Sequence, residues 1–499
     1  MEEKQERTHT PRYPVDGKDL LTALGLILSA LALVNVTFYG GFHLGFALAG
    51  LLFMAVCSGY LWASGRKPGG YSVALLILSG MIVAGFARSD DGFVKFVMIC
   101  FLFLAFNLSL CLQAGKNRRD PARFTALADP FRTAFGYGFS KWGRAIGGMG
   151  RTLRDSGTAG RKAGSVLLGI LIAVPVVAIV LPLLVSADAA FAGVIDLLPE
   201  IRVGQILVTV LFGALLSCFF LSHILSLRHL PDAQQRSPRR KGANSLTVNT
   251  ILIAVCVVYL VYLISQLAYF VSGFSGILPE NYTMAEYARR GFFEMFGLCA
   301  INLLLIALMV GIVVKNPQAP LLTRILCLFI GLVTLFFVAS ASAKMGMYIR
   351  SYGLTRLRLL TEVVMVFLGA VTALVCVWLF APKMPYMKVV MLTALIFGAV
   401  VLWGDVDTVV ARYNVTAYQQ GILETVDVNY LCTLNSSAVP YLEELTRDAD
   451  PQVAEQARQA MNRRTSREYG CDDLRNWNWA DYIAQQIVEQ WHTVTETDQ

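Results

Sequence analysis

The sequence predicts an all-α fold: a polytopic transmembrane helix bundle of about eleven spans with a small helical extramembrane domain at its carboxy-terminal end. Three observations predict it. Of 499 residues, 56% are hydrophobic and only 15% charged, with a mean hydropathy of +0.57, which is too apolar for a soluble chain of this length. Apolar stretches of roughly 17 to 25 residues recur up to residue 403, each long enough as a helix to cross a hydrocarbon layer about 30 Å thick. Charge is also divided unevenly. From Asp405 onward 7 Lys/Arg face 16 Asp/Glu, although the whole chain is +8, so a basic membrane part ends in an acidic tail.

Residues 1–19 form a polar, mixed-charge leading segment, and spans one to four occupy 20–112. The first, 20–38, is followed by no small-residue cleavage site and reads as a retained helix, not a signal peptide. Spans follow at 42–63, closed by Arg66 and Lys67, at 71–86, and at 93–112, where Lys95 lies near enough to the end to snorkel. The loop 113–165 holds eleven Lys/Arg against Asp120, Asp129 and Asp155, the strongest cytoplasmic mark in the chain. Within it Phe131, Phe135, Phe139, Trp142, Ile146, Met149 and Leu153 recur every three or four residues, with Arg132, Lys141, Arg144, Arg151 and Arg154 between them. That spacing predicts a helix lying in the membrane surface, apolar side down. Its six glycines let it form only when docked. An irregular cytoplasmic loop is the alternative.

Spans five to eleven fall in 166–403. The fifth, 166–185, contains Pro175 and Pro182 and is expected to kink. The others lie at 204–227, 247–270, a stretch ending at Val314, 325–343, 360–381 and 389–403. The tail, 404–499, reads as helical. Ser436 and Asp450 are candidate N-caps, Pro451 fits a first helical position, and 474–491 supplies a last helix with Trp477, Ile483, Ile487, Val488 and Trp491 available for burial.

Summed over alternate loops, leaving out Lys95 and the tail, 26 Lys/Arg lie on one side and 8 on the other. This places the amino terminus in the cytoplasm and the tail outside. Half of the minority (Lys344, Arg350, Arg356 and Arg358) sits in one connector, 344–362, where positive charge is least expected. The basic excess is that of retained cytoplasmic loops, so nucleic acid is not a predicted partner. Eight of ten cysteines lie in apolar spans and behave as small hydrophobes. Cys432 and Cys471 are an isolated pair in the tail. A bridge between them suits an oxidising compartment and would close a loop of about 39 residues, worth on the order of 2 to 4 kcal/mol; two unrelated reduced thiols are the alternative.

The seventh-to-eighth loop, the cationic connector and the tail fall on one face by span count. There Glu286, Arg290 and Glu294 follow at i, i+4, i+8, and Arg358 precedes Glu362 by four, so these can pair along a helix. Arg350 and Arg356, with Tyr348 and Tyr352, have no acidic partner nearby in sequence. Two readings compete. In one the arginines bind Asp405, Asp407, Asp188 or the acidic tail and lock the domain onto the bundle. In the other Arg289, Arg290, Arg350, Arg356 and Arg358 with Tyr287, Tyr348 and Tyr352 form a site for an anionic lipid headgroup or small anion, which suits the planar guanidinium fork. His43 and His223 are expected to be satisfied within the bundle. Gln266, Asn107 and Asn302 are expected to bond between helices, and the Gly41–Gly45 pair is too common a motif to mean much alone. No phosphate-binding loop, metalloprotease helix, nucleophile elbow or EF-hand loop is present, and neither metal nor cofactor is indicated. The expected role is therefore non-enzymatic, in envelope sensing or scaffolding. The alternatives are an anion or lipid transporter, and a lipid-linked transferase using Asp188 or Asp405 as base.

Several of these residues carry a resemblance. Ser186-Ala187-Asp188 with Phe191, the run from Glu286 to Glu294, Tyr352-Gly353-Leu354-Thr355 with Arg358, Ala411-Arg412-Tyr413-Asn414 and Trp477-Asn478 together make the chain similar to bacterial polytopic membrane proteins known as domain of unknown function 4153/4173. The likeness covers most of the chain. The tail departs from it, with Leu474-Arg475-Asn476-Trp477-Asn478 where Trp-Arg-Ser-Trp-Asn is expected. The resemblance implies a protein of the bacterial cytoplasmic membrane and carries no activity with it.

Overall fold

The computed structural model describes residues 15–122, 124–155, 203–232, 244–273, 284–313, 320–466 and 473–497, with isolated positions between 176 and 187 and at 469 and 471. Seventeen α-helices and no strand occur among the described residues. The protein is an all-α polytopic bundle.

The membrane part runs α1 (Gly17–Tyr39), α2 (Leu44–Ala63), α3 (Gly70–Gly85), α4 (Gly92–Gln113), α5 (Ala128–Ser140), α6 (Trp142–Asp155), α7 (Val203–His229), α8 (Ser245–Gly273), α9 (Met284–Val313), α10 (Leu321–Tyr352), α11 (Arg356–Phe380) and α12 (Tyr386–Gly404). Eight of these are long and apolar enough to cross a membrane, and α3 and the apolar part of α9 are shorter apolar helices. They coincide with ten of the eleven expected spans. The fifth falls on residues almost all of which lie outside the described ones.

Polar side chains start and close the helices. Asp16 caps α1 by accepting from the Lys18 and Asp19 amides while Asp19 accepts from the Asp16 amide. Asp91 caps α4 through the Val94 amide at 2.9 Å. At the end of the bundle where the chain begins, buried Asp19 gathers Tyr60, Arg228 and His229, while Arg228 also forks onto Asp16. The same guanidinium holds the Asp16 carboxyl well below the usual carboxylate range. Asp232 joins Arg66 and the buried Lys116 beside it. These staples tie α1, α2, α4 and α7 together.

The interior is in three parts. Leu26, Leu61, Leu110 and Ile224 belong to a core of α1, α2, α4 and α7. Cys299, Ile330, Phe337 and Met365 belong to one of α8 to α11. A third begins at Leu75, Ile82 and Met98, takes in Leu395 and Leu402 of α12, and continues through the tail to Leu442 and Ala484. Helix α12 thus joins the two halves of the bundle and leads the apolar core out of it. Within the spans polar groups find partners on neighbouring helices. Asn302 accepts from Tyr259 and donates to Thr334, and Ser72 meets Ser109 at 2.8 Å. Asn107 instead donates to the Phe103 carbonyl of its own helix.

The expected surface helix is two helices broken at Lys141. Phe131, Phe135 and Phe139 form an exposed ladder of rings along α5. The helix docks beside this ladder: Ser222 and His223 of α7 bond the Tyr137 and Thr133 carbonyls, and Gly138 lies against the Phe219 ring, where a Cβ would stand 2.3 Å from it and which also meets Phe135 and Phe139. One glycine therefore admits α7, while Gly136 faces open space.

The tail holds α13 (Val406–Gln419), α14 (Val428–Thr433), α15 (Val439–Leu445), α16 (Pro451–Thr465) and α17 (Trp479–Thr497). Asp450 caps α16 with Pro451 in its first turn, as the sequence predicts. Ser436 instead begins a short 3-10 turn and donates to Asp481. Cys432 and Cys471, the two cysteines of the tail, both belong to this domain and not to the spans. Each lies half-buried against the tail's apolar core. Burial pushes the Cys432 thiol up from its ordinary value.

Gly138→Ala should cost roughly 1 to 3 kcal/mol by forcing Phe219 away, and Gly136→Ala should be neutral or stabilise α5 by about 0.5 to 1 kcal/mol. Hydrogen exchange over residues 128–140 would register the opposite signs.

Candidate functional site

The connector 344–362 is mostly not a loop. Nothing before Gly353 breaks the helix, so α10 runs 32 residues, about 48 Å, and outlasts the hydrocarbon layer. Gly353 then takes a positive φ of 76° with its α-carbon against Asn414, and α11 starts three residues on, capped by Thr355.

The tail seizes this short break. Asp407 and Asn414 are seven residues apart on α13 and share a face. Asn414 accepts from the Leu354 amide at 2.7 Å and donates to the Leu354 carbonyl at 2.8 Å, reading one residue's backbone on both sides. Asp407, with a side chain only 1% exposed, takes both prongs of the Arg356 guanidinium and the Asn435 amide at 3.0 Å. Tyr430 Oη accepts from the Arg356 amide at 2.9 Å. Behind them Asp405, a non-glycine residue at φ 52°, turns the chain from α12 into α13 and accepts from Thr408 at 2.6 Å and Ser89 at 3.3 Å.

A second contact joins the tail to the other half of the bundle. The Leu44 amide donates to the Trp477 carbonyl at 3.0 Å, and the Trp479 amide to the Ala87 carbonyl at 2.9 Å. Gly40 and Gly45 lie so close to the Arg475 backbone that a Cβ on either would stand within 3 Å of it. The last helix starts at Trp479, where the Asn478 side chain accepts from the Asp481 amide at 2.8 Å. Between the two contacts is a buried polar cluster. Lys95, 3% exposed, does not snorkel; its Nζ lies 3.3 Å from His43 Nδ1, with Asp90, Asp91, Asp405 and Asp481 around it. Buried Asn478 also points its amide at His43 Nδ1, 3.3 Å away, and shares Asp481 with Ser436. His43 therefore serves as a hydrogen-bond acceptor, and burial together with the Lys95 charge lowers its pKa to about 4.

The predicted residues are dispersed differently from one another. Arg356 is paired with Asp407. Arg358 donates to the Tyr352 carbonyl at 3.0 Å and the Gly353 carbonyl and stacks over Tyr348 at 4.0 Å, so it does not form the ion pair expected with Glu362. One Glu362 oxygen is buried without a hydrogen bond. Arg350 and Tyr352 are exposed, and the Tyr348 and Tyr352 rings meet edge-on. Glu294 lies exposed on α9. The side chains of Glu286, Tyr287, Arg289 and Arg290 on α9, that of Gln266, and all of Asp188 lie outside the described residues. Sequence reasoning missed Lys95 with His43 and Asn478 as a unit. The one signal was a lysine three residues into a span right after two aspartates.

Together these features define a multi-pass integral membrane protein with a helical domain docked on one end of its bundle. The chain belongs to the family described as Domain of unknown function (DUF4153), whose model matches residues 72–445. No curated protein and no solved structure matches it.

Asp407→Asn should weaken tail docking by roughly 2 to 3 kcal/mol, because Arg356 is left half-buried without its counter-charge. Arg350→Ala should change it by under about 0.5 kcal/mol; melting and protease protection of the tail report both. His43 is the pH-sensitive member. Its folded-state pKa is below the ordinary 6.5, so the unfolded chain binds the extra proton first. Its contribution, about 3 kcal/mol at most, is full above pH 6.5 and is lost as pH falls toward 4. Hydrogen exchange of residues 473–482 should rise over that range, and His43→Gln, which keeps an acceptor, should flatten the rise.

Proposed function

We propose that the protein is a non-enzymatic envelope scaffold or sensor whose membrane bundle holds the acidic tail at a fixed attitude on the extracytoplasmic side. The observation that carries this reading is the double hold on the α10–α11 break, Arg356 by Asp407 and Leu354 by Asn414. Charge-assisted forks and two-sided backbone contacts resist rotation, so the tail is a rigid extension of the bundle. The loop charges support an outward-facing tail, and the cytoplasmic membrane is what the resemblance to the bacterial family implies. Arg350 and Arg358 with Tyr348 and Tyr352 then form an edge for an anionic headgroup or small anion, since Arg358 is capped only by carbonyls and a ring. Transport is the less favoured reading, because Tyr259, Asn302 and Thr334, and Ser72 with Ser109, are taken up in bonds to one another between the helices.

The test uses the full chain in nanodiscs of phosphatidylcholine with and without phosphatidylglycerol, and separately with soluble glycerol phosphate. Anionic lipid should raise the melting temperature of the native chain, and an Arg350→Ala/Arg358→Ala variant should lose that gain while Arg350→Ala leaves tail docking intact. A response to the soluble anion alone identifies a free anion as the ligand. Equal response of native chain and variant to both would remove the site.

A further inference from the structure

The acidic tail presents an aromatic cluster outside the Arg/Tyr edge. The rings of Trp477, Trp479 and Tyr482 lie 6.1 to 6.4 Å apart in a triangle. Leu474, three residues before Trp477, is 69% exposed, Trp479 44% and Tyr482 37%. Arg88 lies over the Trp479 ring at 5.9 Å. The Tyr482 hydroxyl is met by Gln486 at 2.7 Å, giving the cluster a polar rim. None of this surface is needed for the tail's own core, which is built on Leu431, Leu442, Leu445 and Ala484.

Depth decides what covers it. The backbone on either side of the cluster is bonded to Leu44, the first residue of α2, and to Ala87, just past the end of α3. The rings are thereby held at the level where the spans end. Exposed Phe38 at the end of α1 and Phe93 and Phe96 at the start of α4 mark that same level. Tryptophan and tyrosine favour this zone because their rings are apolar and their tips polar.

We infer that Leu474, Trp477, Trp479 and Tyr482 form a lipid-facing foot by which the tail rests in the headgroup zone of the bilayer. The tail carries 16 Asp/Glu against 7 Lys/Arg, so electrostatics opposes contact with an anionic surface. The foot works by apolar and aromatic insertion, and Arg88 is the cation at its edge. It therefore prefers a zwitterionic interface and is insensitive to salt, the reverse of what the Arg350–Arg358 edge requires, so each idea can fail alone.

The experiment is tryptophan quenching in the full chain, in phosphatidylcholine nanodiscs carrying bromine either high or deep on the acyl chain. The emission belonging to the foot is the difference between the native chain and Trp477→Phe/Trp479→Phe; the single Trp479→Phe gives the same readout should the double replacement fail to insert. Shallow bromine should quench that difference emission about twofold, deep bromine less, with no change on adding salt. Emission untouched by either bromolipid and quenched by aqueous iodide would overturn the inference. A blue shift that grows with protein concentration would do so too, because it assigns the surface to a second copy.

Discussion

The contact between Arg356 and Asp407 is the constraint on which the rest of the structure depends. An aspartate 1% exposed at the start of α13 is tolerable only if its charge is answered, and the planar fork that reaches it sits at the first residue of α11. Once that pair forms, α13 is fixed relative to α11. Asn414, two turns along the same face, then necessarily arrives at Leu354. The break at Gly353 admits this approach because any side chain there would collide with the Asn414 amide. Helix break, ion pair and amide clasp are thus one object seen from three residues.

A bilayer makes such an object necessary. Apolar contact between helices gives little net drive where the surrounding lipid is equally apolar, so specificity inside the spans falls to small residues and a few hydrogen bonds. Gly398 against Met98 and Gly85 against Leu402 provide the close approach for α12, and Tyr259, Asn302 and Thr334 provide the bonds in the other half. Among the described residues of the bundle, strong charge pairing appears at its two ends. Asp19 gathers one end, and Asp407 with the Lys95–His43–Asn478 cluster gathers the other.

Much of the fold was legible in the sequence, because span length and hydropathy are set by the membrane and not by the details of packing. The connector at 344–362 was misread as a loop since four cations look like an interruption, although Lys and Arg are good helix formers and only Gly353 truly ends the helix. The alternatives for its arginines were also legible, but spacing along the chain cannot say whether Arg358 turns toward Glu362 or back to the carbonyls of its own break. Lys95 was misread for a related reason: a lysine near a span end normally reaches water, and only the tail covering that end makes it buried. His43 and Asn478, 435 residues apart in sequence, carry no local sign that they meet. The GxxxG pair at Gly41 and Gly45 looked uninformative, yet Gly45 with Gly40 is where the Arg475 backbone enters.

The charge balance between the two loop sets follows from the same contact. Four of the eight minority cations lie between 344 and 362, and on counts alone they weaken the asymmetry that orients the chain. Arg356 is neutralised by Asp407, and Arg358 is folded onto carbonyl dipoles and a ring. Arg356 no longer acts as an unscreened cation once the tail is docked, whereas Arg358 keeps its charge. The orienting rule acts on the chain as it inserts, before distant parts have met, so these arginines work against the proposed topology until the tail arrives. The eleven cations of residues 113–165 outweigh them throughout. That surplus allows a membrane protein to place arginines on the disfavoured side and then use them to hold a domain there.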